Sequence, residues 1–201
     1  MENFWSRYKR NHAAVFGLFV VALIIVMAIT ASFLYPEDPF RLVGKPLSKP
    51  LTNGFLLGSD SLGRDVASGI VHGAKTSLLI GFVATLVSVF IGIFFGAFAG
   101  YFGGLIDDIL MRVTEIFQTI PSFIFAILLV AIMKPSMSSI VIAIAVVSWP
   151  GVARLVRGEF LAVKNREFVQ ACHTLGMSDF RIMLWEILPN CLSPIIVVGS
   201  L

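Results

Sequence analysis

The sequence predicts an all-α protein, a polytopic transmembrane helical bundle with four full spans and the start of a fifth, and three observations predict it. Apolar residues make up 57% of the chain and charged ones 13%, against about 25% charged in an average soluble domain. A particle of this size could not hide so much apolar surface from water, so lipid is the natural solvent. Uncharged runs recur at the length, roughly 20 residues, that crosses a bilayer core of about 30 Å. The charged residues gather between those runs, and a formal net charge of +3 gives no reason to expect nucleic acid as a partner.

In chain order, Ala13 to Tyr35 carries no charge and as a helix reaches about 34 Å, enough to span. Arg7, Lys9 and Arg10 precede it. A signal peptide has an apolar region of only about 7–15 residues, and no small-x-small cleavage site follows, so this is an uncleaved first helix with its N-terminus in the cytoplasm. Residues 1–35 form that first unit, 36–76 an extracytoplasmic loop, and 77–201 a transmembrane domain with a cytoplasmic loop at 158–189. Pro36, Pro39, Pro46 and Pro50 favour extended chain in the loop. The second span covers Leu78 to Phe102, the third Ile116 to Met133 and the fourth Ser138 to Ala153. The run Leu192 to Leu201 is too short to cross, so a chain truncated at its C-terminus is expected. Segments assigned to the inside hold Arg7, Lys9, Arg10, Arg112, Arg154, Arg157, Lys164, Arg166 and Arg181. Those outside hold Arg41, Lys45, Lys49, Arg64, Lys75 and Lys134, a modest positive-inside bias.

The four spans contain no Asp, Glu, Lys, Arg or His. Proton relays and many ion-coupled carriers need such groups near the midplane, so a self-powered carrier is disfavoured. Neither Gly44-Lys45-Pro46 nor Gly73-Ala74-Lys75-Thr76 has the spacing of a phosphate-binding loop. Energy for any transport must therefore come from another chain. Cys172 and Cys191 lack metal or redox spacing and read as small packing residues. Asp107 and Asp108 read as solvated. Gly92, Gly96 and Gly100 recur every four residues, a smooth stripe that admits a close helix neighbour or lines a pathway. Pro121 and Pro150 interrupt the third and fourth spans and bend them, as hinges or as static kinks.

The loop 158–189 is the most informative stretch. Leu161, Phe168, Cys172 and Leu175 fall on one helical face. Gly176 is placed to end that helix and Ser178 to start a second, Asp179 to Leu188, and Pro189 opens the fifth span. Such a helix-turn-helix either docks on a partner or lies in the lipid interface; the pattern alone leaves both open.

Gln170-Ala171-Cys172, Gly176 and Ile187-Leu188-Pro189 resemble the Glu-Ala-Ala loop of importer permeases of the ATP-binding-cassette superfamily. Three further motifs resemble the dipeptide, oligopeptide and nickel branch. They are Gly58-Ser59-Asp60-Ser61-Leu62-Gly63-Arg64-Asp65, Ala99-Gly100-Tyr101-Phe102-Gly103-Gly104 and Trp149-Pro150-Gly151-Val152-Ala153-Arg154-Leu155-Val156-Arg157. Gln170, Cys172 and Glu186 stand where the family pattern has Glu, Ala and Ile. The resemblance implies a type I importer fold and a bacterial inner-membrane location. It implies four kinds of partner: a second homologous permease, two ATP-binding cassette ATPase subunits, an extracytoplasmic substrate-binding protein and the bilayer. It implies no cofactor on this chain, with ATP and Mg bound by the ATPase subunits, and no enzyme activity of its own.

By the same resemblance, the coupling loop comprises Glu167, Gln170, Ala171, Cys172, Leu175, Gly176, Met177, Asp179, Phe180, Ile187 and Pro189. Leu175, Met177 and Phe180 fill the ATPase groove, and Gly176 sets the turn. Asp60, Arg64 and Asp65 either contact the binding protein, or form local structure with Ser59 or Asp60 capping a short helix and Arg64 and Asp65 in local pairs. The implied substrate is a di- or oligopeptide, with nickel chelates, glutathione-like compounds and opines as alternatives. A membrane-embedded enzyme would need polar groups gathered at one level, where the spans offer Gln118 and scattered hydroxyls. A non-transporting assembly subunit would leave the loop pattern without a purpose.

Overall fold

The computed structural model describes residues 8–52 and 54–199. Arg7 of the basic N-terminal group and the last two residues of the fifth apolar run therefore lie outside the described residues. The chain divides into two compact units, Met1–Leu79 and Ile80–Leu201, with the division falling inside a long helix.

In the first unit, α1 (His12–Leu34) starts where the Asn11 side chain accepts a hydrogen bond from the Ala14 amide at 3.2 Å, satisfying one of the free donors of a helix start. Only Ala28 and Ala31 are buried among its residues, while Phe16, Phe19, Ile29 and Phe33 face outward, as an apolar span in lipid allows. The prolines keep the following segment out of helix. Its two arms instead pair through backbone bonds from Val43 and Gly44 to the Gly63 carbonyl, from Leu47 to Asp60 and from Ser59 to Ser48. Gly58 and Gly63 have φ of +85° and +79°, which only glycine adopts without strain. A β-carbon on either would strike the backbone oxygen of Ser48 or Gly44 respectively.

Helix α2 (Val66–Phe102) has 37 residues and is about 55 Å long. It begins at Val66 rather than near Leu78, so residues 66–76 of the expected loop are helical. His72 and Lys75 end the apolar run without ending the helix. The His72 ring lies 2.9 Å from the Tyr35 carbonyl, and Lys75 donates to Ser32 at 3.1 Å, so both polar groups are used against the end of α1.

The second unit contains the rest of α2 and five further helices: α3 (Gly104–Gln118), α4 (Ser122–Met133), α5 (Met137–Val163), α6 (Glu167–Thr174) and α7 (Asp179–Gly199). Three expectations change here. The third span is not one helix from Ile116: α3 and α4 meet at 79°. Pro121 sits in extended conformation (φ −52°, ψ 126°) at the start of α4, and a residue before proline is pushed out of the α region. Pro121 therefore separates two helices instead of bending one. The fourth span does not stop at Ala153 but continues to Val163, with Pro150 buried inside it; Arg154 and Arg157 interrupt the apolar run, not the hydrogen-bond ladder.

The third change concerns Pro189. The second loop helix and the fifth apolar run form one element, α7, whose 21 residues are long and apolar enough to cross a membrane. Residues Ile182–Ile187 adopt a wider π-helical turn, and the Leu188 amide reaches back five residues to the Met183 carbonyl. That widening gives the Pro189 ring room beside the preceding turn, where an α-helix would bring a clash. By length and composition four helices can span, and five if the bent pair counts as one. The core of this unit is built from α2, α5, α6 and α7: Ala97, Val156, Phe160, Val169, Ile182, Ile187 and Cys191 are among its buried members.

Candidate functional site

Helix α6 ends in a complete glycine cap. Gly176 has φ +75°; its amide donates to the His173 carbonyl at 3.0 Å and the next amide, Met177, donates to the Cys172 carbonyl at 3.1 Å. These are the two bonds of a Schellman motif, which satisfies the last carbonyls of a helix and reverses the chain. Ser178 occupies the N-cap position of α7, but its side chain makes no capping bond. Glu167 lies in the first turn of α6, where a carboxylate complements the helix dipole. Gln170 donates to the Asn165 carbonyl at 3.3 Å.

The inward face of α6 is only in part the one the periodicity suggested. Val169 is fully buried, and Cys172 packs against the core with Met177. Phe168 and Leu175 look outward, Leu175 at 80% exposure and Phe180 beyond the turn at 63%. Met177 and Ile187, both assigned to the loop, are therefore packing residues, whereas Leu175 and Phe180 form an exposed apolar tip with Ala171 exposed beside them. Pro189 is exposed and Cys191 fully buried; both cysteines are free.

Polar groups join this loop to the helix ends beneath it. The Tyr101 hydroxyl donates to Asp179 Oδ1 at 2.7 Å. The His173 ring stacks on Tyr101 with centroids 6.4 Å apart, and its Nδ1 is 4.0 Å from Asp179 Oδ1. Lys164, at the end of α5, donates to the carbonyls of Gly100 and Tyr101 at 2.8 and 3.3 Å. A cation there satisfies the carbonyls that the end of α2 leaves without helical partners. Arg157 grips Asp107 through two parallel bonds, Nε to Oδ1 at 2.5 Å and Nη2 to Oδ2 at 2.6 Å. Asp107 is thus buried and paired, not solvated; Asp108 next to it is exposed.

The glycine stripe is an intramolecular contact. A β-carbon at Gly92, Gly96 or Gly100 would come within 2.5, 2.7 and 2.6 Å of the β-carbons of Val152, Val156 and Phe160. Both series advance by four residues, so a ridge on α5 sits in a groove on α2 cut by the missing side chains.

In the first unit, Asp60 and Asp65 have structural partners. Asp60 Oδ1 accepts from the amides of Leu62 and Arg64, both at 2.8 Å. The amide bond from Arg64 is the main cause that holds this carboxyl below its ordinary value. Asp65 Oδ1 accepts from the Ala67 amide at 2.9 Å and starts α2, while the Arg64 guanidinium lies 5.5 Å from the Phe40 ring centre. The local contacts expected of Arg64 and Asp65 are these, to the Phe40 ring and the Ala67 amide. Ser59 bridges the loop arms, accepting from the Ser48 amide at 2.9 Å and donating to the Lys45 carbonyl at 2.6 Å, and caps no helix.

The signals that sequence reasoning missed are Val169, Lys164 and the pairs Tyr101–Asp179 and Asp107–Arg157. Each pair is separated by 50 or more positions. A carboxylate in the first turn of α3 and an arginine past the apolar part of α5 were visible; their meeting was not.

Residues 92–199 match the family model described as the binding-protein-dependent transport system inner membrane component. Residues 1–49 match the N-terminal transmembrane domain of oligopeptide transport permease C. The dipeptide transport system permease protein DppC of Escherichia coli is 41% identical over 207 residues, covering all of this chain and 69% of that protein. Its counterpart in Bacillus subtilis is 39% identical over 200 residues, covering all of this chain and 62% of that protein. The glutathione transport system permease protein GsiD of Pectobacterium atrosepticum is 37% identical over 201 residues, covering all of this chain and 67% of that protein. The chain thus spans about two thirds of the length of these relatives.

Proposed function

This chain belongs to the inner-membrane component family of binding-protein-dependent transport systems, and from that premise we propose that it is a permease subunit of an ATP-driven importer of di- and oligopeptides. The observation that carries the proposal is the exposed tip of the glycine-capped loop. Leu175 and Phe180 stand in solvent on a turn held by the amide bonds of Leu175, Gly176 and Met177 back to α6. A rigid turn offering apolar side chains is what a groove on a partner requires. Two ATPase subunits are that partner, and they hold the ATP and Mg; this chain carries none. The N-terminus and the loop lie in the cytoplasm, and the segment around Asp60 lies outside. A second, homologous permease completes the pathway, and an extracytoplasmic binding protein delivers the solute.

The relatives named for dipeptide transport support the peptide substrate. A glutathione-type substrate is the second reading, favoured by the relative named for glutathione transport. Both are small peptidic solutes, so one pathway chemistry serves either.

The test is a pull-down of the full-length, tagged protein from its native membrane in mild detergent, with mass spectrometry of what accompanies it. The proposal expects a second permease and ATPases, both ATPases lost on Gly176→Arg. Open space surrounds the position a β-carbon would take at Gly176, so the arginine side chain reaches the docking surface, while the left-handed backbone there strains any such residue. Gly176→Asn, which tolerates the left-handed conformation, should retain them. Normal uptake by the Gly176→Arg protein would sink the proposal, and the binding protein's affinity for dipeptides against glutathione separates the two substrates.

A further inference from the structure

We propose that Tyr101 and Asp179 are positioning residues for transport, their hydrogen bond being the joint through which movement of the loop is passed to α2; the inference rests on the importer reading. Tyr101 is held from two directions. Asp179 of the loop takes its hydroxyl at 2.7 Å, and Lys164 of α5 takes its carbonyl at 3.3 Å and that of Gly100 at 2.8 Å. One residue earlier, Gly100 is pressed against the Phe160 side chain and the backbone of Arg157. A pull on the Tyr101 hydroxyl therefore acts on α2 at the place where α2 is packed onto α5, and the two helices must follow together.

The chain immediately beyond permits that motion. Gly103 and Gly104 have φ of +68° and +52°, a break between α2 and α3 made of the two residues with the freest backbone. Asp107 then reconnects α3 to α5 through Arg157. The Asp179 side chain is 57% exposed and that of His173 49%. At such exposure a polar contact adds little to stability, so its value lies in the geometry it imposes. Leu175 and Phe180 face outward from the same turn, so a partner seated on the tip moves Asp179 directly.

The experiment uses the whole complex, purified with its second permease and ATPases and reconstituted in vesicles with substrate-loaded binding protein. Solute taken up per ATP hydrolysed is compared for the unaltered complex, Tyr101→Phe, Asp179→Ala, Asp179→Asn and the double variant Tyr101→Phe with Asp179→Ala. Tyr101→Phe keeps the ring and its stacking and should copurify its ATPases in the unaltered amount, while uptake per ATP falls about two- to fivefold, the size of one exposed polar contact. The double variant should fall no further than either single one, and Asp179→Asn, which retains an acceptor oxygen, should keep most of the ratio. An unchanged ratio in Tyr101→Phe, losses that multiply in the double variant, or loss of the ATPases from the Tyr101→Phe complex would overturn the inference. An unaltered complex that carries no ATPase would overturn the importer reading itself, and the inference with it.

Discussion

Replacing Gly96 by alanine tests whether the glycine stripe is a packing surface. The new β-carbon would stand 2.7 Å from the Val156 β-carbon and against the Ala153 carbonyl oxygen. Carbon atoms pack at about 3.5–4.0 Å, so the contact is short by roughly 1 Å. Neither neighbour can rotate away, because one is backbone and the other is a β-carbon fixed to a buried helix. The helices must separate, loosening the Gly92–Val152 and Gly100–Phe160 layers as well. Overpacking of this kind costs about 1–3 kcal/mol, partly offset by about 1 kcal/mol of helix propensity. Gly81→Ala removes that complication: it lies on the same helix, and nothing lies within 4 Å of its β-carbon position. The difference between the two variants then reports packing alone, about 1–3 kcal/mol. Unfolding of the purified protein in mixed micelles by increasing dodecyl sulfate fraction, followed by circular dichroism, measures it. Equal midpoints for Gly96→Ala and Gly81→Ala would refute the packing role.

Asp107→Asn should destabilise the same fold by about 1–3 kcal/mol, because it leaves Arg157 without its charged partner, and adding Arg157→Gln should cost less than the separate changes combined; the same micelle assay reads both. Asp60 has its carboxyl held down in the folded loop chiefly by the Arg64 amide, so its stabilisation is present above the ordinary aspartate value of about 3.9 and is lost as pH falls through the lowered folded value. Protection of the Leu62 and Arg64 amides relative to their intrinsic exchange rates should fall on acidification in that range, and Asp60→Asn should remove the dependence; unchanged protection on acidification through that range would count against it. At Gly176, valine should cost at least about 1–2 kcal/mol from the left-handed backbone and asparagine less, read from exchange of the Met177 amide that closes the cap.

What the sequence made legible was whatever depends on neighbours along the chain. The uncharged runs marked the spans because lipid forbids charge there, and Gly176 marked a helix end because the left-handed turn needs glycine. The helix limits were less legible, for a helix is not obliged to stop where its apolar stretch stops: α5 passes Arg154 and Arg157 and ends at Val163. Periodicity found only part of the inner face of α6: Cys172 packs against the core, while Phe168 and Leu175 do not. Those two are the larger apolar residues, but Val169 is the one fully buried in the core, because the angle at which α6 leaves α5 is set by tertiary packing. The pairs Tyr101–Asp179 and Asp107–Arg157 depend on that packing entirely.

The two kinds of joint in the second unit follow from one constraint. Lipid excludes charge from the spans, so the contact of α2 with α5 there had to be made from shape, glycine against valine and phenylalanine, which has no alternative partner and either fits or fails. At the helix ends water is available, and there the contacts include Lys164 to carbonyls and Tyr101 to the exposed Asp179, beside the buried pair of Asp107 with Arg157. Polar bonds in a wet site are exchanged for water at a net cost of about 0.5–1.5 kcal/mol, small enough for the proposed joint to be reversible. A stiff dry seam and a reversible wet one suit the proposed transfer of loop movement to α2 and α5 together. Tyr101→Phe should therefore weaken the loop joint and leave the glycine seam intact. The two perturbations, Tyr101→Phe on uptake per ATP and Gly96→Ala on unfolding, should report on separate parts of the second unit.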